Sequence, residues 1–273
     1  MAVTLNLEGE HSVKINVYHV DAFANKAFEG SPAAICPLDQ WLPEQTMQAL
    51  AAENNLSETA FFVTEGDGFA LRWFTPTTEV DLCGHAALAA AYVLFEELGY
   101  QGEVIRFSTK SGTLSVVRNG DSLRMDFPAQ QPLPFELPMQ LVEAFAMTPE
   151  DCLKFADIIA VFPSEEMVRS ADPDMALLAE LDCRGIIITA ESAEYDFIAR
   201  WFGPRTGITE DPVTGSAFTQ LVPYWANRLG KTEFRAKQVS QRGGEVTCEL
   251  VGDRVLISGK VVLFMRGVIE IDV

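Results

Sequence analysis

The stretch RWFTPTTEVDLCGHA, from Arg72 to Ala86, decides the fold because the chain repeats it as RWFGPRTGITEDPVTGSA, from Arg200 to Ala217. Both copies open with Arg-Trp-Phe, and both close with Gly, one residue and Ala. The second copy carries three extra residues before that glycine. A phrase repeated in the same order indicates an internal duplication.

The similarity continues after the repeated phrase. GHAALAAAYVLFEELG and GSAFTQLVPYWANRLG each have 16 residues and end in Leu-Gly, and SGTLSVVRNGDSLRM aligns with GGEVTCELVGDRVLI. We therefore predict two copies of a unit of about 130 residues. The expected domains are residues 1–127 and 128–273, with a proline-rich linker at Phe127–Pro138. The last strand, about residues 263–273, is a candidate to complete the first domain.

Local patterns predict the same elements in each copy. PEQTMQALAAEN has helical apolar spacing, whereas FALRWFT, EVIRFST, GTLSVVR and SLRMDF read as short strands. Residues 84–98 are apolar on nearly every side, which predicts a buried helix. Each copy is thus expected to be a strongly bent sheet with one apolar helix inside it, an α+β fold.

The net charge of the chain is -19, and this argues against nucleic acid and anionic membranes as partners. The longest apolar run, Ala86–Phe95, has ten residues and is too short to cross a bilayer. MAVTLNLEGEHSV has neither the cationic start nor the apolar run of a targeting segment. These observations predict a soluble, cytoplasmic protein.

Cysteine and histidine spacing gives little support for a metal site. The five cysteines include no C-x-x-C pair, and the three histidines lie far apart in sequence. Neither a G-x-x-x-x-G-K-[ST] nor a G-x-G-x-x-G motif occurs, so nucleotide cofactors have no motif support. We expect no disulfide framework, no metal and no organic cofactor.

The two repeated phrases place Gly84 and Gly215 at the start of matching apolar helices. A helix start has unpaired N–H groups and a partial positive charge, and glycine lets a ligand approach the backbone. The pair of starts could therefore bind a carboxylate or an enolate-like charge. Simple capping of both helices is the alternative.

Four stretches resemble the phenazine-biosynthesis isomerase family, the PhzF-like proteins: FEGSPAAIC, NNLSETAFF, RWFTPTTEVDLCGHAALAAA and GITEDPVTGSA. The family is related in fold to diaminopimelate epimerase. The resemblance implies two similar domains, each a β-barrel-like sheet wrapped around a central helix, with the active site between them. It also implies a homodimer, a small carboxylate substrate and no cofactor.

The resemblance also implies site residues. The catalytic residues fall on Glu58, His85 and Asp211, and the substrate-binding residues on Gly84, Gly215 and Ser216. Glu58 is not duplicated, since its counterpart lies near Arg184. His85, at a helix start, is expected to stay neutral.

Cys83 raises a second possibility, because a thiol at a helix start can have a depressed pKa. The related epimerases use two thiols, but the position matching Cys83 in the second copy is about Pro212. A two-thiol mechanism is therefore disfavoured, and Cys83 is expected to serve packing.

Three functions stay open at this point. The leading one is a cofactor-independent isomerase in which Glu58 moves a proton on a small, cyclic or unsaturated carboxylate. The alternatives are an epimerase or racemase that pairs Cys83 with Glu58, and a non-catalytic binding or interaction protein that kept the fold.

Overall fold

The computed structural model describes residues 2–5 and 11–272. Its strands are β1 Ala2–Leu5, β2 His11–Ala22, β3 Ser31–Pro37, β4 Glu58–Glu65, β5 Gly68–Phe74, β6 Glu79–Val80, β7 Val104–Thr109, β8 Gly112–Asn119, β9 Ser122–Pro128, β10 Leu133–Pro134, β11 Asp151–Lys154, β12 Ile158–Val161, β13 Ile186–Glu191, β14 Phe197–Gly203, β15 Ile208–Asp211, β16 Glu233–Gln238, β17 Gly244–Val251, β18 Arg254–Gly259 and β19 Val261–Asp272. Its helices are α1 Glu44–Asn54, α2 Gly84–Tyr92, α3 Met139–Phe145, α4 Glu165–Ser170, α5 Met175–Ala179 and α6 Gly215–Leu229.

The chain divides into two compact units. Unit 1 comprises Met1–Phe28, Pro32–Met125 and Lys260–Val273, and unit 2 comprises Glu29–Ser31 and Asp126–Gly259. The strand β19 therefore lies in unit 1, where it pairs antiparallel with β2 along most of its length.

Unit 1 has a mixed sheet. Strand β3 runs parallel to β4, β4 antiparallel to β5, and β5 parallel to β7. Strands β7, β8 and β9 then follow as an antiparallel meander. The helix α2 stands in the chain between β6 and β7.

Unit 2 repeats this pairing order. Strand β12 runs parallel to β13, β13 antiparallel to β14, and β14 parallel to β16. Strands β16, β17 and β18 form the second meander, and α6 stands between β15 and β16 as α2 does between β6 and β7. The duplication seen in the sequence is thus a duplication of strand pairing.

Each unit buries its long helix against its strands, α2 against β2 and β4, and α6 against β17 and β18. In α2, every residue from Ala86 to Ala91 is fully buried, as the apolar pattern predicts. The alanines in this helix fit because small side chains let strands approach it closely. In α6, the buried residues include Phe218, Leu221 and Trp225.

Two local predictions need correction. The predicted helix 84–98 is α-helical only to Tyr92, after which Val93–Glu97 forms a π-helical turn closed by the Leu98 N–H donating to the Val93 carbonyl. The predicted linker Phe127–Pro138 is partly strand, since β9 ends at Pro128 and β10 is Leu133–Pro134. Proline is tolerated at strand ends, so the proline content misled this prediction.

Among the described residues, no helix has both the length and the apolar character needed to cross a membrane.

Candidate active site

Glu58 is the first residue of β4, placed there by the end of α1. The helix α1 ends in a left-handed residue, Asn55, and the chain then turns into the strand. Glu58 pairs with Ala33 of the parallel strand β3, and only 8% of its surface is exposed. A glutamate that is buried to this degree needs a partner or a function.

The start of α2 supplies two further polar groups. Cys83 is the N-cap residue in an extended conformation, and His85 is the second residue of the helix. Both are buried, and the Cys83 side chain makes no capping hydrogen bond.

Glu58, Cys83 and His85 meet in unit 1. The Nε2 atom of His85 lies 2.8 Å from Oε2 of Glu58. The Sγ atom of Cys83 lies 3.6 Å from Nδ1 of the same imidazole. Histidine is thus the central member of a buried cluster of three titratable groups.

The expectation that His85 stays neutral is wrong. Burial lowers the pKa of His85, but the adjacent Cys83 sulfur and the Glu58 carboxylate raise it by more, so that the pKa stands well above 6.5. The partial charge of the helix start is outweighed by these direct contacts. The imidazole is therefore the positive member of an ion pair with Glu58.

Cys83 is held as a thiol. Burial, together with the nearby charge of Glu58, raises the pKa of Cys83 to about 11, although His85 offsets part of the increase. A thiol with such a pKa is a poor base near neutrality. The structure thus gives no depressed pKa at this helix start.

The Oε2 atom of Glu58 is buried and lacks a well-aligned hydrogen-bond donor among the described residues. The His85 ring nitrogen is nevertheless at ion-pair distance from it. The ion pair with His85 therefore leaves acceptor capacity on this oxygen that no well-aligned donor in the described part of the chain uses.

The same cluster has the composition of a metal site. The ligand atoms of Glu58, Cys83 and His85 all lie within 4.8 Å of one another. Sequence spacing did not indicate this group, because its members are of three residue types and come from two elements.

The predicted residues Asp211, Gly215 and Ser216 lie in unit 2. Asp211 ends β15 and accepts a hydrogen bond from the Thr214 hydroxyl at 2.5 Å. The Gln238 side chain donates to the Asp211 carbonyl at 2.6 Å and accepts from the Thr214 N–H at 2.8 Å. Gln238 is buried and holds this loop, a role that no sequence signal indicated.

Ser216 belongs to a different network. Its hydroxyl accepts a hydrogen bond from Arg184, which forms an ion pair with the fully buried Asp157. The Gln220 side chain, one turn further along α6, donates to Asp157 at 2.7 Å. Sequence reasoning noted Arg184 only as a neighbour of the Glu58 counterpart and missed Asp157.

Strand register fixes the counterparts of the unit 1 residues. Arg72 pairs with Phe61, and Arg200 of the repeated phrase pairs with Ile188. Counting back along each strand, Glu58 corresponds to Gly185, directly after Arg184.

The counterpart of Cys83 also needs correction. Cys83 and Thr214 are the N-cap residues directly before Gly84 and Gly215, so the matching residue is Thr214 and not Pro212. The three-residue insertion shifts the simple count. The second unit still offers no second thiol at this place.

Comparison with known proteins identifies the family of the chain. The sequence profile described as "Phenazine biosynthesis-like protein" matches residues 20–267. A Pseudomonas aeruginosa protein named as an uncharacterized isomerase is 51% identical over 95% of this chain and 100% of its own length.

Solved structures agree with this match. A PhzF family protein of Enterococcus faecalis is 44% identical with a TM-score of 0.92, over 94% of this chain and 99% of that one. A hydroxyproline epimerase of Agrobacterium vitis shares the fold alone, at 11% identity and a TM-score of 0.62, over 95% of this chain and 93% of that one.

The repeated α+β units and the solved relatives confirm the predicted fold class. The named relatives place the chain in the isomerase class of enzymes. The chain belongs to the phenazine biosynthesis-like family.

Proposed function

We propose that the protein is an isomerase in which Glu58 moves a proton on a small, cyclic or unsaturated carboxylate substrate. One observation carries the proposal. A buried glutamate oxygen has no well-aligned donor among the described residues and lies beside a histidine with a raised pKa. A buried carboxylate of this kind can act as a general base and, once protonated, as a general acid.

The reaction balances without a change in oxidation state. The Glu58 carboxylate takes a proton from a carbon next to a carbonyl or double bond. The C–H electron pair moves into the unsaturated system, and the double bond shifts. The Glu58 O–H then returns the proton to a different carbon, so the carboxylate is regenerated.

His85 stabilises the charge during this transfer. Its imidazolium faces the Glu58 carboxylate before the reaction. When the proton moves to Glu58, the negative charge moves to the substrate, where the imidazolium and the N-terminus of α2 stabilise it. As the resemblance implies, Asp211 is proposed as a further catalytic residue that positions the substrate, and Gly84, Gly215 and Ser216 are proposed to bind it.

The pKa of the Cys83 thiol, about 11, argues against the epimerase alternative in which this thiol is a second base. The binding-protein alternative is decided by experiment. The Pseudomonas aeruginosa relative is named as an isomerase and is 51% identical over 95% of this chain, which supports the leading proposal.

The test is solvent-deuterium exchange. The protein is incubated in D₂O with a panel of cyclic unsaturated carboxylates, and label is read by mass spectrometry and NMR. We expect Glu58→Gln to abolish the incorporation that the parent catalyses. Glu65→Gln, an exposed glutamate on the same strand, is the matched control and should exchange like the parent.

Two outcomes would overturn the proposal. Exchange by Glu58→Gln at the parent rate would show that another group moves the proton. A parent protein that binds members of the panel without exchanging their hydrogens would favour the non-catalytic alternative.

A further inference from the structure

We propose that Arg184, the Ser216 hydroxyl and the indole N–H of Trp201 form a carboxylate-binding site in unit 2, with Arg184 as the residue that positions Ser216. The inference deepens the proposed function and rests on it in one respect, namely that the bound carboxylate belongs to the substrate.

Arg184 is held in a fixed orientation from behind. Its Nε donates to Asp157 at 2.9 Å, and a second nitrogen of the guanidinium bonds to the other carboxylate oxygen. The Asp157 side chain is fully buried, and Gln220 both donates to it at 2.7 Å and accepts from its backbone N–H at 3.1 Å. The Arg184 side chain stays 40% exposed, so its outer edge can reach a ligand.

The contact with Arg184 settles the role of the Ser216 hydroxyl. Arg184 Nη1 donates to Ser216 Oγ at 3.0 Å. Because this oxygen accepts from the guanidinium, its own proton points elsewhere and can be donated to a ligand. Ser216 is also the second residue of α6, where backbone N–H groups lack partners within the helix.

Trp201 supplies an independent sign of a missing acceptor. The indole is 5% exposed, and its Nε1–H has no hydrogen-bond partner among the described residues. This nitrogen lies 2.7 Å from where a Cβ on Gly185 would stand, and the Arg184 guanidinium is 5.8 Å from the ring centre. A buried N–H without an acceptor beside an anchored arginine is a donor that a ligand oxygen could satisfy.

The surrounding charges favour a carboxylate over a phosphate. Asp157 already neutralises Arg184, and Asp211 also acts on the guanidinium electrostatically. A group with one negative charge is repelled less by the two aspartates than a doubly charged phosphate, and it still gains directed hydrogen bonds.

The test uses the whole protein labelled with ¹⁵N. Benzoate is titrated, with benzamide and inorganic phosphate in parallel, and the indole N–H signals of the four tryptophans are followed. Trp201→Phe identifies its signal. We expect benzoate to shift the Trp201 signal to saturation, while benzamide and phosphate leave it in place.

Variants separate positioning from packing. Arg184→Gln and Ser216→Ala should each weaken benzoate binding by about tenfold or more. Arg184→Lys keeps the charge but lacks the fork geometry, so its affinity for benzoate should lie between those of the parent and Arg184→Gln. Arg205→Gln, an exposed arginine paired with Asp182, is the control and should bind like the parent.

If Arg184→Gln fails to fold because Asp157 is left unpaired, the double variant Arg184→Gln/Asp157→Asn removes both charges and carries the same expectation. Benzoate that leaves the Trp201 signal unchanged, or binds Arg184→Gln as tightly as the parent, would overturn the inference. Binding requires no turnover, so this failure is distinct from a failure of the Glu58 exchange test.

Discussion

Glu58 and Gly185 occupy equivalent positions in the two repeats, three residues before the strand partners of Arg72 and Arg200. In unit 1 this position carries the buried acid. In unit 2 it carries no side chain, and the Trp201 indole stands where a Cβ would be. Only one of these two equivalent positions therefore carries an acid, which suits a single group that both takes and returns a proton.

The first prediction concerns Gly185. In Gly185→Ala the new methyl carbon would lie 2.4 Å from the Trp201 ring, so the indole must move. We expect a loss of about 1–3 kcal/mol in the free energy of unfolding, measured by urea denaturation. Gly267→Ala, whose nearest contact would be 3.3 Å from a valine methyl, should cost less. Equal losses of unfolding free energy in the two variants would contradict the close approach of the Trp201 indole to Gly185.

The second prediction concerns the Cys83 thiol. Because its pKa is raised from 9.0 to about 11, the thiolate fraction at neutral pH should be about 100-fold below that of an unperturbed thiol. Alkylation by iodoacetamide at pH 7, followed by mass spectrometry of the Cys83 peptide, should be correspondingly slow. Cys83→Ala should keep deuterium exchange; a full loss would instead support the epimerase alternative.

The third prediction is a pH dependence of stability from His85. Its pKa in the folded protein is raised, so its contribution is fully present below the unfolded pKa near 6.5 and is lost as the pH rises through the folded pKa. The difference in unfolding free energy between the parent and His85→Gln should therefore shrink above pH 6.5. The slope can reach about 1.4 kcal/mol per pH unit for one proton. A difference that grows with pH would contradict the ion pair.

The fourth prediction concerns Gln238, which joins Asp211 to Thr214. Gln238→Ala leaves the Asp211 carbonyl and the Thr214 N–H without this partner. We expect a cost of about 1–3 kcal/mol in urea denaturation. Gln101→Ala, an exposed glutamine bonded to a nearby carbonyl, should stay within about 0.5 kcal/mol of the parent. Similar costs for both variants would show that Gln238 does not hold the loop.

The fold could be predicted from the sequence because the signals for its main elements are local and occur twice. The Arg-Trp-Phe phrases mark the strands β5 and β14, and the apolar runs mark α2 and α6. The π-helical turn at Val93–Glu97 was missed because its apolar residues read like a continuing helix.

The candidate site was only partly visible in the sequence. The motifs pointed to Glu58 and His85, whose side chains the fold brings to 2.8 Å. The charge of His85 depends on that contact and not on its place at a helix start, so the expectation of a neutral imidazole was wrong. Asp157 and Gln238 were missed because each acts through a partner distant in sequence.

The most direct measurement follows one hydrogen through the reaction. A substrate found in the exchange screen is deuterated at the carbon that loses its proton, and product is analysed in H₂O after early turnover. A single carboxyl that takes a proton, exchanges it in part with solvent and returns it predicts deuterium at the new position in a fraction of the early product of the parent, and no product with Glu58→Gln. Product formed by Glu58→Gln at the parent rate would contradict the account.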